Sequence, residues 1–294
     1  MSGNLSHSMR ENYGTHGVSE YYKIVQESYR NPHFPPLKKV LAQFMDQYVA
    51  QEKPKRIRIL DLAAGSGEAT ISIQDWYDSR WPSAPATSSA SASPSPAPSP
   101  SPATPAPPAV PGLRIRQPFI PPSAAARAAV ARPSRTASSL PKPDLEIIAA
   151  DPFTAPAYKQ RTGRECLELS FQDVAEGKLP SLPAEEGEEG EGAYDIVVIS
   201  FALHLVESSS ELWALLTELA KRARWLVVTA PHKKPDIKST WSWRRWDPSS
   251  AWQPADEYSP AKKVGGEHGD GFEIVLERVR LRLWRSEDLW AAEE

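Results

Sequence analysis

Three aspartates stand where extended apolar runs give out, and these are the residues best suited to grip a polar ligand. Asp61 closes the run Arg56–Leu60 and is followed at once by Leu62-Ala63-Ala64-Gly65-Ser66-Gly67. Asp151 follows Leu145-Glu146-Ile147-Ile148-Ala149-Ala150, and Asp173 follows Cys166-Leu167-Glu168-Leu169 by a short Ser170-Phe171-Gln172 link. A carboxylate accepts hydrogen bonds on two oxygens, so a short acidic side chain at a strand end can hold hydroxyl or amino groups. Glycine lets a backbone approach a ligand with no Cβ in the way, and a helix start presents unpaired N–H groups. One aspartate at a strand end is more often a cap or turn residue. Three in succession shift the balance towards a ligand site. His204, after the run Tyr194–Ser200, is the candidate base, although a satisfied structural histidine is the commoner case.

The elements that must position these residues alternate. Ile57–Leu60 reads as a first strand, and a helix-compatible stretch runs from the small-residue turn to about Trp81. Leu145–Ala150 and Cys166–Leu169 give two more strands. Tyr194–Ser200, continuous and β-branched, reads as a strand buried on both faces. A helix over Ser209–Arg222 and a strand over Trp225–Thr229 follow. Strand and helix in repeated order predict a parallel sheet with helices on both faces. Upstream, Ser19–Tyr29 and Leu37–Gln51 carry helical spacing, separated by the prolines of Asn31–Pro36. Downstream, 231–260 lacks periodicity and reads as loop. Phe272–Arg285 alternates as one long strand, with a short antiparallel partner near Lys262–Val264.

Composition narrows the classes. The chain has 294 residues and a net charge of −3, which gives no basic footprint for nucleic acid. Its single cysteine, Cys166, excludes an internal disulfide and a cysteine-rich zinc site, and no metal is expected. No apolar stretch is long enough to cross a membrane and the N-terminus carries no signal-peptide core. We expect a soluble monomer of the cytoplasm, with the nucleus left open. From 82 to 143 the composition changes to Ser-Pro and Ala-Pro units holding more than half of the 30 prolines. Such a tract cannot bury enough apolar surface to offset its ordering entropy, and is expected to be disordered.

Taken together, the Asp61–Gly67 turn, Asp151, the Phe171-Gln172-Asp173 stretch, and Asp195-Ile196-Val197-Val198 with Phe201-Ala202-Leu203-His204 resemble the class I S-adenosylmethionine-dependent methyltransferases. The resemblance covers most of 55–285 outside the proline-rich tract. It implies an α/β fold: a doubly wound, mostly parallel, seven-stranded sheet with an antiparallel C-terminal edge hairpin. It implies an N-terminal helical lid over 1–54, a Rossmann-like domain over 55–81 and 144–294, and an insert over 82–143.

S-adenosylmethionine is the implied cofactor, held by Asp61, Ala63, Gly65, Gly67, Asp151, Phe171, Asp173 and Ser200. Asp61 would meet its amino group, Asp151 its ribose hydroxyls and Asp173 its adenine amino group. Ala63 stands where the family has its first glycine, and its methyl group fits there if φ is negative. The implied activity is direct methyl transfer to an unidentified acceptor, a small molecule being favoured over protein or RNA. Acceptor candidates are Tyr13, Tyr21, Tyr22, Tyr29 and His33, His232 with Lys233 and Lys234, and the tryptophans Trp241, Trp243, Trp246 and Trp252. Two rivals remain: a nicotinamide-dependent oxidoreductase, which lacks its Gly-x-Gly-x-x-Gly here, and an inactive methyltransferase-like scaffold that recruits partners.

Overall fold

In the computed structural model, residues 31, 33–82, 140–184, 191–249, 251–255 and 272–293 are described. Contacts divide the chain into one unit of Met1–Trp81 with Ser139–Glu294 and a second of Pro82–Ser138. Apart from Pro82, every described residue belongs to the first unit. The proline-rich tract, the helix expected over Ser19–Tyr29 and the strand expected near Lys262–Val264 lie outside the described residues.

The first element is helix α1 (Phe34–Glu52), which starts earlier than its apolar stripe predicts. Pro35 and Pro36 form its first turn. Proline is tolerated there because the first N–H groups of a helix have no intrahelical partner. Leu37, Val40, Leu41, Phe44 and Met45 are fully buried, so α1 is packed into the core.

Strand β1 (Arg56–Leu62) leads through the glycine turn into α2 (Glu68–Arg80). Then come β2 (Asp144–Ala150), α3 (Ala155–Thr162), β3 (Cys166–Leu167) and α4 (Phe171–Ala175). Strand β4 (Tyr194–Ser200), α5 (Ser209–Arg222) and β5 (Ala223–Ala230) complete the alternating part. The two short helices α3 and α4 escape the sequence reading because neither shows two turns of apolar spacing.

The remaining strands are β6 (Trp243–Trp246), β7 (Glu273–Leu276) and β8 (Val279–Ser286), before helix α6 (Glu287–Glu293). Among the described residues the sheet has eight strands in the order β3-β2-β1-β4-β5-β8-β6, with β7 also on β8. β1 to β5 are parallel, and β8 is antiparallel to its three neighbours.

The antiparallel hairpin expected at the sheet edge is β7–β8, with β8 between β5 on one side and β6 and β7 on the other. Two expectations are corrected here. The described residues hold eight strands where seven are expected, because β6 lies within the stretch read as loop and Phe272–Arg285 divides in two. Phe272–Arg285 is therefore no single strand. Glu277 and Arg278, at φ 48° and 72°, reverse the chain between β7 and β8. Positive φ at both central residues is what a tight hairpin turn requires, and neither Glu nor Arg advertises it in sequence.

Alternation along the strands divides the core in two. Ile57, Ile59, Ile196, Val198, Trp225 and Val227 face α1 and α2. Leu60, Leu62, Val197, Ile199, Leu226 and Val228 face the side of α4 and α5. Asp61, Ser200 and Thr229 continue the first set to the carboxyl ends of β1, β4 and β5. At the opposite end, Trp81 Nε1 donates to the Leu140 carbonyl at 3.3 Å and Tyr77 Oη to that of Pro143 at 2.6 Å. The two chain ends that flank the proline-rich tract, Trp81 and Leu140, therefore meet on the amino edge.

Candidate functional site

The glycine turn at the carboxyl end of β1 is held from two sides. Backbone N–H groups of Ala63 and Ala64 donate to the Ala150 carbonyl at 2.8 and 3.2 Å, tying the turn to the end of β2. Gly67 caps α2 at φ 88°, and a Cβ there would stand 2.5 Å from Thr162 Cγ2, so this glycine is required twice over. Gly65 also has positive φ, at 58°. Ala63 sits at φ 59°, so the condition of a negative φ under which its methyl group fits is not met, and that group is carried in the left-handed region.

Asp61 is fully buried beneath the turn. Its Oδ2 accepts from the Thr70 N–H at 3.1 Å and the Thr70 hydroxyl at 2.7 Å, and Tyr158 Oη lies 3.0 Å further on. Oδ1 has no hydrogen-bond partner among the described residues. Burial pushes this carboxyl up from 3.8 to about 7. A buried carboxylate with one unused oxygen favours a cationic or donor-rich neighbour.

Asp151 and Asp173 both do structural work. Asp151 Oδ1 accepts from the N–H groups of Phe153 and Thr154, each at 2.9 Å, and Oδ2 from Gly65 N–H at 3.0 Å. The Thr154 hydroxyl returns a bond to the Gly65 carbonyl at 2.7 Å. Asp151 thus fastens the turn after β2 to the turn after β1. Asp173 closes a capping box on α4 with Ser170, and its Oδ1 accepts from Lys178 Nζ at 2.6 Å. Those bonds hold its carboxyl well below the usual range. Phe171, its neighbour at the start of α4, is partly buried against the core on the α5 side. Cys166 is half-buried among Ala64, Ala149 and Tyr158, and burial pushes its thiol up to about 12.

Further along the same edge, Ser200 ends β4 with its Oγ buried, and the next residue, Phe201, has φ 59° and stacks on His33 at 5.6 Å. His204 lies in a short 3-10 turn (Leu203–Leu205). His232 follows β5, and the two imidazoles meet edge to face at 4.6 Å. The sequence gives no hint that these histidines, 28 residues apart in numbering, are neighbours. The loop bearing His232 is fixed by Arg282 of β8, itself 6% exposed, which donates to the carbonyls of Lys233, Pro235 and Lys234 at 2.5, 3.1 and 3.3 Å.

Trp243 is a correction among the acceptor candidates. It is fully buried in β6 with Nε1 donating to the Leu216 carbonyl at 2.8 Å, because β6 tucks against α5. Trp241 and Trp246 are buried too, and Trp252 packs on Phe44, Tyr48 and Trp225. Tyr13, Tyr21, Tyr22 and Tyr29 lie outside the described residues.

Sequence reasoning missed Glu68 and Arg161. Glu68 Oε1 accepts from the Ser66 hydroxyl at 2.9 Å and from Arg161 Nη1 at 2.7 Å, over the glycine turn. No local pattern links residues 93 positions apart. Among the described residues there is no cluster of His, Cys, Asp and Glu that could hold a metal, and no helix long and apolar enough to cross a membrane.

Five parallel strands, a glycine turn after the first, and one antiparallel strand between the fifth and the outermost form a Rossmann-like sheet. No protein-family model matches the chain. It is 33% identical over 289 residues to the uncharacterized protein C17A5.05c of Schizosaccharomyces pombe, across 97% of this chain and 95% of that protein, and it belongs to the same family.

Solved structures similar to it include magnesium protoporphyrin IX methyltransferase of Synechocystis with bound S-adenosylmethionine (10% identity, 96% of this chain, 99% of that one, TM-score 0.41). Another is a TehB-like methyltransferase of Corynebacterium glutamicum (8%, 94%, 97%, 0.38). A third belongs to the complex of the Haloferax volcanii Trm112 activator with a putative methyltransferase (10%, 92%, 97%, 0.39). At such scores these likenesses say nothing about what this chain binds.

Proposed function

We propose that the chain is an S-adenosylmethionine-dependent methyltransferase acting by direct displacement on an acceptor still to be identified, with a small molecule favoured. The observation that carries this reading is the charge around the glycine turn. Asp61 beneath it, Asp151 beside it and Glu68 above it are carboxyl groups, against the guanidinium of Arg161. A ligand with a cationic centre is matched to that setting; a diphosphate is not. A dinucleotide would bring its diphosphate to the start of α2, where Glu68 already stands 9% exposed. The nicotinamide reading is disfavoured on those grounds.

In this reading Asp61 offers Oδ1 to the ligand's ammonium group, while Gly65 and Gly67 leave space for its methionyl chain. Asp151 retains acceptor capacity on Oδ2, which takes one N–H, and could receive ribose hydroxyls there. Asp173, its oxygens taken by Ser170 and Lys178, orders α4 beside the site. When bound, S-adenosylmethionine supplies a methyl group on a cationic sulfur. The chain's task is then placement and exclusion of water, which can supply much of the rate. His204 and His232 stand ready to take a proton if the acceptor must lose one.

Calorimetric titration with S-adenosylmethionine and S-adenosylhomocysteine tests the reading. Binding in the micromolar range is expected. No heat at millimolar ligand, or a preference for reduced nicotinamide cofactor in a fluorescence titration, would overturn it.

A further inference from the structure

Above the glycine turn lies an ion pair that the turn itself does not need. Glu68 opens α2 and Arg161 closes α3; their side chains are 9% and 24% exposed. Arg161 uses one nitrogen for everything: Nη1 meets Glu68 Oε1 at 2.7 Å, Ser66 Oγ at 2.7 Å and the Ser66 carbonyl at 3.4 Å. Its guanidinium lies over the Phe34 ring at 5.2 Å. Nε and Nη2, a planar pair of donors suited to a carboxylate, have no partner among the described residues. Glu68 likewise spends only Oε1. Its Oε2 leans over the turn, 3.7 Å from where a Cβ on Gly65 would sit.

A two-signed, largely dehydrated pair that keeps an anionic acceptor oxygen and a cationic donor fork in reserve complements a zwitterion. We propose that Glu68 and Arg161 form the subsite for the α-amino-acid end of a nucleoside ligand, Arg161 taking its carboxylate and Glu68 sharing its ammonium with Asp61. The assignment rests on the cofactor reading above and makes Arg161, from outside the glycine turn, the residue that tells an amino-acid-bearing nucleoside from a bare one. Phe34, at the start of α1, lies against the guanidinium and limits where it can swing. A phosphate ligand would suit Arg161 but would be repelled by Glu68 less than 3 Å away.

Calorimetry on the full chain with S-adenosylhomocysteine and with methylthioadenosine separates the possibilities, because the second keeps adenosine and thioether and lacks the amino-acid end. The wild-type chain should bind S-adenosylhomocysteine at least about tenfold more tightly than methylthioadenosine. Arg161→Met and Glu68→Gln should each weaken S-adenosylhomocysteine by about 10- to 100-fold, the scale of one or two charged hydrogen bonds, and move methylthioadenosine by less than about twofold. Arg161→Lys, which keeps the charge and loses the fork, should fall between.

Equal losses for both ligands, with a lower melting temperature, would make the pair a structural clamp and overturn the assignment. An unchanged preference would overturn it too. No binding of either nucleoside by the wild-type chain would defeat the cofactor reading itself, and the subsite with it.

Discussion

Ala63 carries a methyl group at φ 59°, and the two effects of removing it oppose each other. Leaving the left-handed region strained costs about 1–2 kcal/mol, whereas glycine loosens the unfolded chain by about 0.4–1 kcal/mol. Strain wins by a little, so Ala63→Gly should raise the melting temperature by about 2 °C in a thermal scan.

Asp61 gives the second prediction at this scale. Burial raises its folded-state pKa to about 7, above the usual 3.8. The folded state therefore holds a proton that the unfolded chain has released. The contribution of Asp61 to stability is intact below about pH 4, falls as pH rises towards 7, and is level above. Urea midpoints across that window should drop for the wild type and flatten for Asp61→Asn. If a cation binds beside Asp61, calorimetry below pH 7 in buffers of different ionisation enthalpy should also show proton release on binding.

Among the elements, the loop after β5 owes its shape to a strand far away in sequence. Arg282, held in β8 opposite Val228, spends its guanidinium on three successive loop carbonyls. Bonds from a buried charged donor are worth more than neutral ones, and the abandoned carbonyls would need new partners. Arg282→Met should destabilise the protein by about 2–4 kcal/mol. Amide exchange should quicken across 231–238 while β1 and β4 keep their protection. Uniform loss across the sheet would show instead that Arg282 supports the core and not the loop. The β7–β8 turn is legible only in hindsight, because it is made by Glu277 and Arg278 with no Gly or Asn to mark it.

At the scale of the whole molecule, the chain ends that flank the proline-rich tract meet at the amino edge, and the candidate site occupies the carboxyl edge. The stem closes through Trp81 and Leu140, so a cut should stop short of Leu140. Replacing 84–138 with a short Gly/Ser linker should shift the melting temperature by less than about 3 °C, since loop-closure entropy varies only logarithmically with length. Affinity for S-adenosylhomocysteine should not change. A large loss of either would assign the tract a part in folding or binding.

The sequence by itself determined the five parallel strands and the longer helices between them, the glycine turn after β1, and the arrival of Asp61, Asp151 and Asp173 after successive strands. Those features follow from local periodicity and turn chemistry, which a few adjacent residues decide. The tertiary structure decided what the acids do: Asp173 caps a helix, Asp151 ties two turns together, and Asp61 keeps an unused oxygen beneath the turn. It placed β8 inside the sheet, buried Trp243, and joined Glu68 to Arg161 and His204 to His232. Each of these depends on strand register and on contacts between residues far apart in the chain, where local pattern carries no information.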